Sequence, residues 1–226
     1  VATRFAPLGA EGGWCARFGR ELNATEDRPF FAERGGRGLP VVEGKLLGPF
    51  RARVGDAGRV VRASDAIRLL GDRHRRPRLA YRDVASATNR LTLIAAVLPA
   101  GCVSTHTVFC LKNSLPRLAQ WFLCALFNSL VVNYLVRLRV TTHVTTTIVE
   151  RLPVPREDQA GPAFRDLAAL ARLLSRVDNT EALARLNARV ARLYEMTDEE
   201  FVHILGTFPL VPETDRLAAL RTFRRV

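Results

Sequence analysis

Hydrophobic positions are densest in the middle of the chain, where an uncharged run extends from position 118 to 136. A run of this kind has to be buried. Asn128-Ser129 interrupts it, and polar side chains at such a point predict a break between two helices. The first helix is predicted to begin at a Ser114 cap and to reach Phe127, and the second to reach Leu138.

Extended segments are predicted on both sides of this run from β-branched residues, alternation and glycine or proline turns. The predicted elements are two short strands within 39–50 around a Gly44-Lys45 turn, a hairpin over 51–61, a strand at 78–82, a polar irregular segment at 84–90, a hairpin of 91–98 with 102–111, and a threonine-rich strand at 145–150.

The chain changes character after Pro155. Apolar residues recur at helical spacing over 163–177 and 181–194, a capping box begins at Thr197, and 214–225 predicts a last helix. The sequence therefore predicts an α+β fold. A mixed or antiparallel sheet with buried helices is expected over residues 1–155, followed by a helical C-terminal subdomain over residues 156–226.

Net charge is the strongest compositional signal. The chain of 226 residues carries 34 Lys and Arg against 22 Asp and Glu, which gives +12. Its 48% hydrophobic and 25% charged residues are ordinary for a globular protein. The excess is uneven, because residues 51–82 contribute +7 and residues 83–155 contribute +4, whereas residues 156–226 are neutral. A charge confined in this way predicts a surface that faces a polyanion.

Patterns typical of catalysis or metal binding are absent from the sequence. The four cysteines form no CxxC pair and are expected to be reduced thiols, and the four histidines lack ligand spacing. No GxSxG, Walker-A or GxGxxG motif occurs, and no carboxylate pair stands out. We therefore expect no catalytic residue, no metal and no cofactor on this chain.

The uncharged run has nearly the length of a membrane span, but it contains amide side chains and a helix break. Unpaired amides are costly in hydrocarbon, so we predict a helix pair buried within the protein and expect no membrane among the partners of the chain. The chain opens on Val1 and its only methionine is Met196. We expect the downstream part of a longer polypeptide, without a targeting peptide.

Basic and hydroxyl side chains form the candidate binding surface. Arginine neutralises phosphates and reads guanine, and threonine contacts thymine methyl groups or phosphates. The candidates are a phosphate-contacting group of Arg73, Arg75, Arg76, Arg78 and Arg82, a base-reading group of Arg137, Arg139, Thr141, Thr142, His143 and Thr145, and a third pair, Asn89 and Arg90. Two alternatives stay open. The phosphate-contacting group is alternatively a solvated basic loop, and the base-reading group is alternatively a plain helix end followed by a strand.

Five ordered segments resemble a known family. They are RFGRELNATEDRPFF, LPVVEGKLLGPF, RLAYRDVASATNRLTLIAAVLPAG, LCALFNSLVVNYLVRLRVTTHVTTTIVERLPVP and RLNARVARLYEMTDEEFVHILGTFPLV. Together they are similar to the C-terminal target recognition region of adenine-specific DNA methyltransferases of the Eco57I and TaqI-like type, which also occurs in fused type IIG restriction-modification enzymes and in related phage-defence methyltransferases.

The resemblance implies a module that reads the sequence of double-stranded DNA. In that family a separate catalytic domain binds S-adenosylmethionine and flips out the target adenine for N6 methylation, using an Asn-Pro-Pro-Tyr-type loop. No such tetrapeptide occurs here, so the resemblance implies a non-catalytic fragment whose upstream methyltransferase domain is its other partner. A cytoplasmic, nucleoid-associated prokaryotic protein is expected. The rival expectations are a scaffold module whose basic face binds an acidic protein, and a small membrane-associated basic protein.

Overall fold

The computed structural model describes residues 4–33, 35, 37–84 and 89–225, so positions 85–88 of the predicted irregular segment lie outside the described residues. The described strands and helices form the predicted α+β architecture. The strands are β1 (Phe18–Gly19), β2 (Phe31–Glu33), β3 (Leu39–Val42), β4 (Leu47–Gly48), β5 (Arg51–Ala52), β6 (Arg59–Val61), β7 (Arg78–Arg82), β8 (Ala95–Leu98), β9 (Val103–Ser104) and β10 (Val108–Leu111). The helices are α1 (Ala63–Leu70), α2 (Arg117–Phe127), α3 (Leu130–Arg137), α4 (Thr146–Glu150), α5 (Glu157–Ala160), α6 (Pro162–Leu174), α7 (Thr180–Leu193), α8 (Asp198–Gly206) and α9 (Glu213–Phe223).

The first sheet has the strand order β1-β10-β7-β8, and its neighbouring strands are antiparallel. The predicted strand at 78–82 is β7, and it lies inside this sheet, where Tyr81 pairs with Phe109 on one side and with Ala95 on the other. The predicted hairpin of 91–98 with 102–111 is wrong, because β7 separates β8 from β10. After β8 the chain instead contributes β9 to the second sheet.

The second sheet has the order β2-β6-β3-β9, with β3 and β9 parallel. Strands β4 and β5 form a separate hairpin, and the predicted hairpin over 51–61 is wrong because β5 pairs with β4 whereas β6 pairs with β2 and β3. Phe50 makes the turn before β5 with a φ of 65°, and its N–H donates to the carbonyl of Ala95 at 2.9 Å. This bond attaches the hairpin to β8.

Helices α2 and α3 form the centre of the core, and the break between them is where the sequence predicted it. Ser129 begins α3 by accepting the N–H of Val132 at 3.3 Å. The buried Asn133 side chain accepts the N–H groups of Thr92 and Leu93, each at 2.8 Å. Polar side chains inside the uncharged run therefore bind backbone groups of the segment that leads into β8.

No single helix in the described ranges has both the length and the apolar composition to cross a bilayer. Helices α2 and α3 meet those criteria only as a pair, bent by 66° at the break. Most side chains of both helices are buried within the protein.

One helix start and one element type differ from the prediction. Helix α2 has Pro116 at its N-cap position rather than Ser114. The predicted strand at 145–150 is helix α4, because the Thr145 hydroxyl accepts the N–H of Ile148 at 3.4 Å and caps a helical turn. A local side-chain bond of this kind overrides the β propensity of a threonine-rich segment.

The C-terminal helices confirm the predicted periodicity. Thr197 and Glu200 form the predicted capping box, with hydrogen bonds of 3.2 and 2.9 Å. Helix α6 packs on α2, where the rings of Phe122 and Phe164 lie 4.9 Å apart. One hydrophobic core therefore extends across position 155, and the division of the chain at that position stays a prediction.

Candidate nucleic-acid interface

Strand β7 positions the predicted cationic residues at its two ends. Arg73, Arg75 and Arg76 precede the strand, whereas Arg82 ends it and is followed by Asp83. A strand of five residues spans on the order of 13 Å. The predicted phosphate-contacting group is therefore divided between two places on the surface.

The segment before β7 is a short 3-10 helix, Gly71–Arg75, rather than a loop. His74 is buried there, and its Nδ1 donates to the carbonyl of Gly71 at 3.0 Å. Arg75 is exposed and forms an ion pair with Asp72 at 3.4 Å.

Two arginines, one within this 3-10 helix and one directly after it, pair with no carboxylate of the described residues. Arg73 and Arg76 line a small cleft together with the exposed Lys112, and no carboxylate among the described residues pairs with any of the three. We call these three residues the second cationic group, because a larger basic groove, described below, lies at the other end of β7.

Arg78 was expected to contact phosphate, and the structure contradicts this because the residue is only 4% exposed. Its guanidinium donates to both carboxylate oxygens of Glu21, at 2.5 and 2.7 Å, and to the carbonyl of Cys102 at 3.0 Å. Glu21 also accepts the N–H and hydroxyl of Ser104. Arg78 therefore links the N-terminal segment to the sheet.

Asp83 organises the other end of β7. The residue is buried, and its carboxylate lies 3.1 Å from Arg20 Nη2 and 3.3 Å from His143 Nδ1. Its backbone carbonyl accepts the N–H of Val144 at 2.9 Å, and its N–H donates to the carbonyl of Thr107 at 3.0 Å. Asp83 thus fixes the 138–145 loop against the sheet.

The 138–145 loop presents part of the predicted base-reading group. Val140 and Val144 are buried and anchor the loop. The residues that it exposes are Leu138, Arg139, Thr141, Thr142, His143 and Thr145.

Arg139 is the exposed cation of this loop. It uses one donor for the carbonyl of Leu135 at 2.9 Å, and no described carboxylate pairs with it. Thr145, which was predicted to read bases, caps α4 instead.

Arg137 was also predicted to read bases, but its guanidinium is occupied inside the protein. It donates to the Thr92 hydroxyl at 3.0 Å, to the Thr207 carbonyl at 2.6 Å and to the carbonyl of Asn89. It also lies 3.9 Å above the ring of Phe208. Arg137 therefore joins α3 to the 89–92 segment and to the end of α8.

The third predicted pair is engaged within the protein only in part. Arg90 is exposed, and its Nη2 lies 3.5 Å from the carboxylate of Asp215 in α9. Asn89 contributes its carbonyl to Arg137, although the residue also lines the groove described next. Neither residue lies in the 138–145 loop.

A groove of about 510 Å³ lies beside Asp83, and we call it the basic groove. The side chains that line it and can donate hydrogen bonds are those of Lys45, Arg59, Arg82, Asn89, Thr105, His106 and Thr107. Arg82 Nε is buried without a hydrogen-bond partner among the described residues, and burial lowers the pKa of its guanidinium. His106 Nδ1 accepts the N–H of Ala24 at 3.3 Å, which leaves Nε2 as the donor of the ring.

Glu43 is the carboxylate that lines the basic groove, and it balances two of its cations. It forms ion pairs with Lys45, at 2.9 Å, and with Arg59. Burial acts to raise the pKa of Glu43, but hydrogen bonds and charges from Lys45 and Arg59 outweigh it and lower that pKa. Glu43 is therefore ionised, and among the described residues Arg82 is the lining arginine that no carboxylate pairs with.

More than half of the arginines in the 51–82 segment form ion pairs within the protein. Residues 51–82 hold ten arginines, and in the structure Arg51, Arg53, Arg59, Arg68, Arg75 and Arg78 each pair with a carboxylate. The cationic surface is consequently smaller than composition predicted. Near β7 it comprises the basic groove with the 138–145 loop at one end of the strand and the second cationic group at the other, whereas other exposed arginines, such as Arg62, lie outside both.

The described residues contain no cluster of three or more His, Cys, Asp or Glu that could hold a metal ion. Neither protein-family models nor curated proteins match the chain.

Proposed function

We propose that this chain is the DNA-recognition module of a site-specific adenine methyltransferase or of a fused restriction-modification enzyme. The resemblance of five ordered segments supports the assignment, and the chemistry of the surface around Asp83 supports it independently. A separate S-adenosylmethionine-dependent domain of the same polypeptide supplies the catalysis. Cytoplasmic, nucleoid-associated placement follows from this proposal.

The juxtaposition of two different donor sets at one end of β7 carries the proposal. The basic groove offers hydrogen-bond donors of the kind that phosphate oxygens accept. The adjoining 138–145 loop exposes Arg139, Thr141 and Thr142, side chains that suit base edges in a groove of duplex DNA. Asp83 bonds to the loop and lies next to Arg82 in the chain, so the same structure positions both sets.

The second cationic group extends the proposed contact. Arg73, Arg76 and Lys112 lie near the start of β7, on the order of 13 Å from Arg82 along the strand. Duplex DNA presents one negative charge per about 1.7 Å of helix axis, so a single duplex offers phosphates to both ends. We assign the second cationic group to sequence-independent affinity.

Selection from a random duplex library tests this division of roles. The wild-type chain, the double variant Arg73→Gln/Arg76→Gln and the single variants Arg139→Ala and Thr142→Ala are each used to enrich bound duplexes, which are then sequenced. We expect the Arg73/Arg76 variant to enrich the wild-type sequence with lower yield. Arg139→Ala and Thr142→Ala are expected to relax the preference by about 1–3 kcal/mol at one or two base positions.

The matched control is Arg221→Gln, which removes an exposed arginine in the charge-balanced C-terminal part. It is expected to leave both yield and sequence preference unchanged. If the wild-type chain enriches no sequence and binds polyglutamate as tightly as it binds DNA, the proposal is replaced by the alternative of a scaffold module that binds an acidic protein.

A further inference from the structure

A second cavity, of about 640 Å³, shares no lining residue with the basic groove. Its walls come from the β4–β5 hairpin, the 90–94 segment, the α2–α3 break and the start of α7. The volume lies within the range of small-molecule sites, about 300–1,000 Å³, and it is far larger than an ordinary packing defect. The cavity therefore has room for an organic ligand.

Apolar side chains form most of the cavity wall. Phe50, Ile94, Leu130, Leu183 and Val211 line it. The amides of Asn128 and Asn187 also line it, but they bind the backbone at Ala95, Leu130 and Leu183. A ligand that fills this space must have an apolar body, because the wall offers few free polar groups.

One end of the cavity is charged. Arg51 donates through Nε to the carbonyl of Leu174 at 3.0 Å, which fixes the guanidinium. Its Nη2 is buried and has no hydrogen-bond partner among the described residues. Asp178 Oδ1 lies 3.0 Å from Nη2 but outside hydrogen-bonding geometry. The fixed cation thus keeps a donor available at the cavity.

Asp178 is a weak occupant of that position. Its side chain is 97% exposed, so its ion pair with Arg51 is of the kind that contributes little stability. An anionic ligand head that satisfies Nη2 can therefore displace Asp178 at little cost. The first turn of α7, at Thr180, lines the same end and adds positive potential.

We propose that this cavity binds a small organic anion with an apolar body, whose charged head bonds to Arg51. The site does not depend on the proposed DNA contact, since it shares no lining residue with the basic groove. Arg53 and Arg90 also line the cavity, and they pair with Asp56 and Asp215.

The test uses 8-anilino-1-naphthalenesulfonate, a fluorescent apolar anion, titrated into the folded chain. We expect one saturable site. Decanoate is expected to displace the probe at least tenfold more effectively than decanol, which has the apolar chain without the charge. Equal displacement by the two competitors contradicts recognition of an anion.

Two variants locate the site. Ala184→Phe fills the cavity and is expected to abolish probe binding, and Leu183→Trp serves the same purpose if Ala184→Phe does not fold. Asp178→Asn removes the competing carboxylate and is expected to tighten decanoate binding about two- to fivefold. Asp158→Asn, which removes another exposed carboxylate, is the control and is expected to change nothing.

Retained binding in a folded filled-cavity variant overturns the proposal. So does equal tightening by Asp178→Asn and Asp158→Asn, because that result indicates a general charge effect. Unchanged decanoate affinity in Asp178→Asn contradicts the displacement at Arg51.

Discussion

Asp83 Oδ1 lies 3.3 Å from His143 Nδ1, and the backbone carbonyl of Asp83 accepts the N–H of Val144. Side chain and main chain of one buried residue thus bind the same loop. Positions 83 and 143 are far apart in the chain, yet this contact sets where Arg139 and Thr142 stand relative to the basic groove. The proposed DNA contact depends on it.

Removing the Asp83 carboxylate is expected to loosen the 138–145 loop, which then bonds to residue 83 only through the backbone N–H of Val144. In Asp83→Ala the carboxylate bonds to Arg20 and His143 are lost, and we expect unfolding free energy to fall by about 1–3 kcal/mol. Duplex binding is expected to persist with weaker sequence preference. Urea unfolding and the library selection measure the two effects.

The control for Asp83 is Asp72→Ala, which removes an exposed carboxylate at the other end of β7. Its effect on stability is expected to stay within about 0.5 kcal/mol. Unchanged sequence preference in a folded Asp83→Ala protein contradicts the assigned role of the 138–145 loop.

Arg137 and Arg139 are expected to behave as opposites although they are two residues apart. Arg137→Ala removes several internal bonds and a ring contact, so we expect a loss of about 2–4 kcal/mol in unfolding free energy. Arg139→Ala is expected to stay within about 0.5 kcal/mol of wild type and to alter DNA preference instead. Thermal unfolding of both variants measures the two losses of stability. Equal destabilisation of Arg137→Ala and Arg139→Ala contradicts the prediction.

Two fully buried tyrosines are expected to respond to phenylalanine with opposite signs. Tyr81 Oη has no hydrogen-bond partner among the described residues, whereas Tyr194 Oη donates to the carbonyl of Pro153 at 2.8 Å. Tyr81→Phe removes an unsatisfied hydroxyl and is expected to raise stability by about 1 kcal/mol. Tyr194→Phe is expected to lower it by a similar amount, because the carbonyl loses its partner. Chemical denaturation measures both, and a destabilised Tyr81→Phe variant contradicts the prediction.

Stability is expected to fall at alkaline pH because of buried thiols. Burial raises the pKa of Cys102, Cys110 and Cys124 in the folded protein. Below the unfolded thiol pKa of about 8.5 both states hold the proton, and above it only the unfolded state releases it. Each buried thiol therefore contributes a slope of up to about 1.4 kcal/mol per pH unit as pH rises.

Unfolding free energies between pH 7.5 and 9.5 measure this slope. Cys124→Ala is expected to reduce it by about one third of the thiol contribution, and Cys15→Ser, at an exposed position, is expected to leave it unchanged. Equal slopes in wild type and Cys124→Ala contradict the assignment.

Patterns that are local in sequence predicted the fold well. Apolar residues at helical spacing predicted α6 and α7, and the uncharged run with its interruption at Asn128 predicted α2 and α3. Strand pairing could not be predicted in this way, since β8 and β10 both pair with β7 rather than with each other. The helix at 146–150 was missed because one cap at Thr145 outweighs the propensity of its neighbours.

The site was predictable in part. Arg139, Thr141 and Thr142 lie on the surface as expected, but no pattern in the sequence indicates that Arg78 and Arg137 bond to other parts of the protein. Their partners, such as Glu21 and Thr207, are distant in sequence. The basic groove was missed for the same reason, because Lys45, Arg59 and His106 come together only in the folded chain.

The salt dependence of duplex binding tests the central claim most directly. Fluorescence anisotropy with a random-sequence duplex between 50 and 200 mM salt is compared for wild type and Lys45→Gln/Arg82→Gln. We predict a steep loss of affinity with salt in wild type, and a slope shallower by about 0.9 for each lost phosphate contact in the variant. Failure of the wild-type chain to bind duplex at 50 mM salt, or an unchanged slope in the folded double variant, contradicts the account.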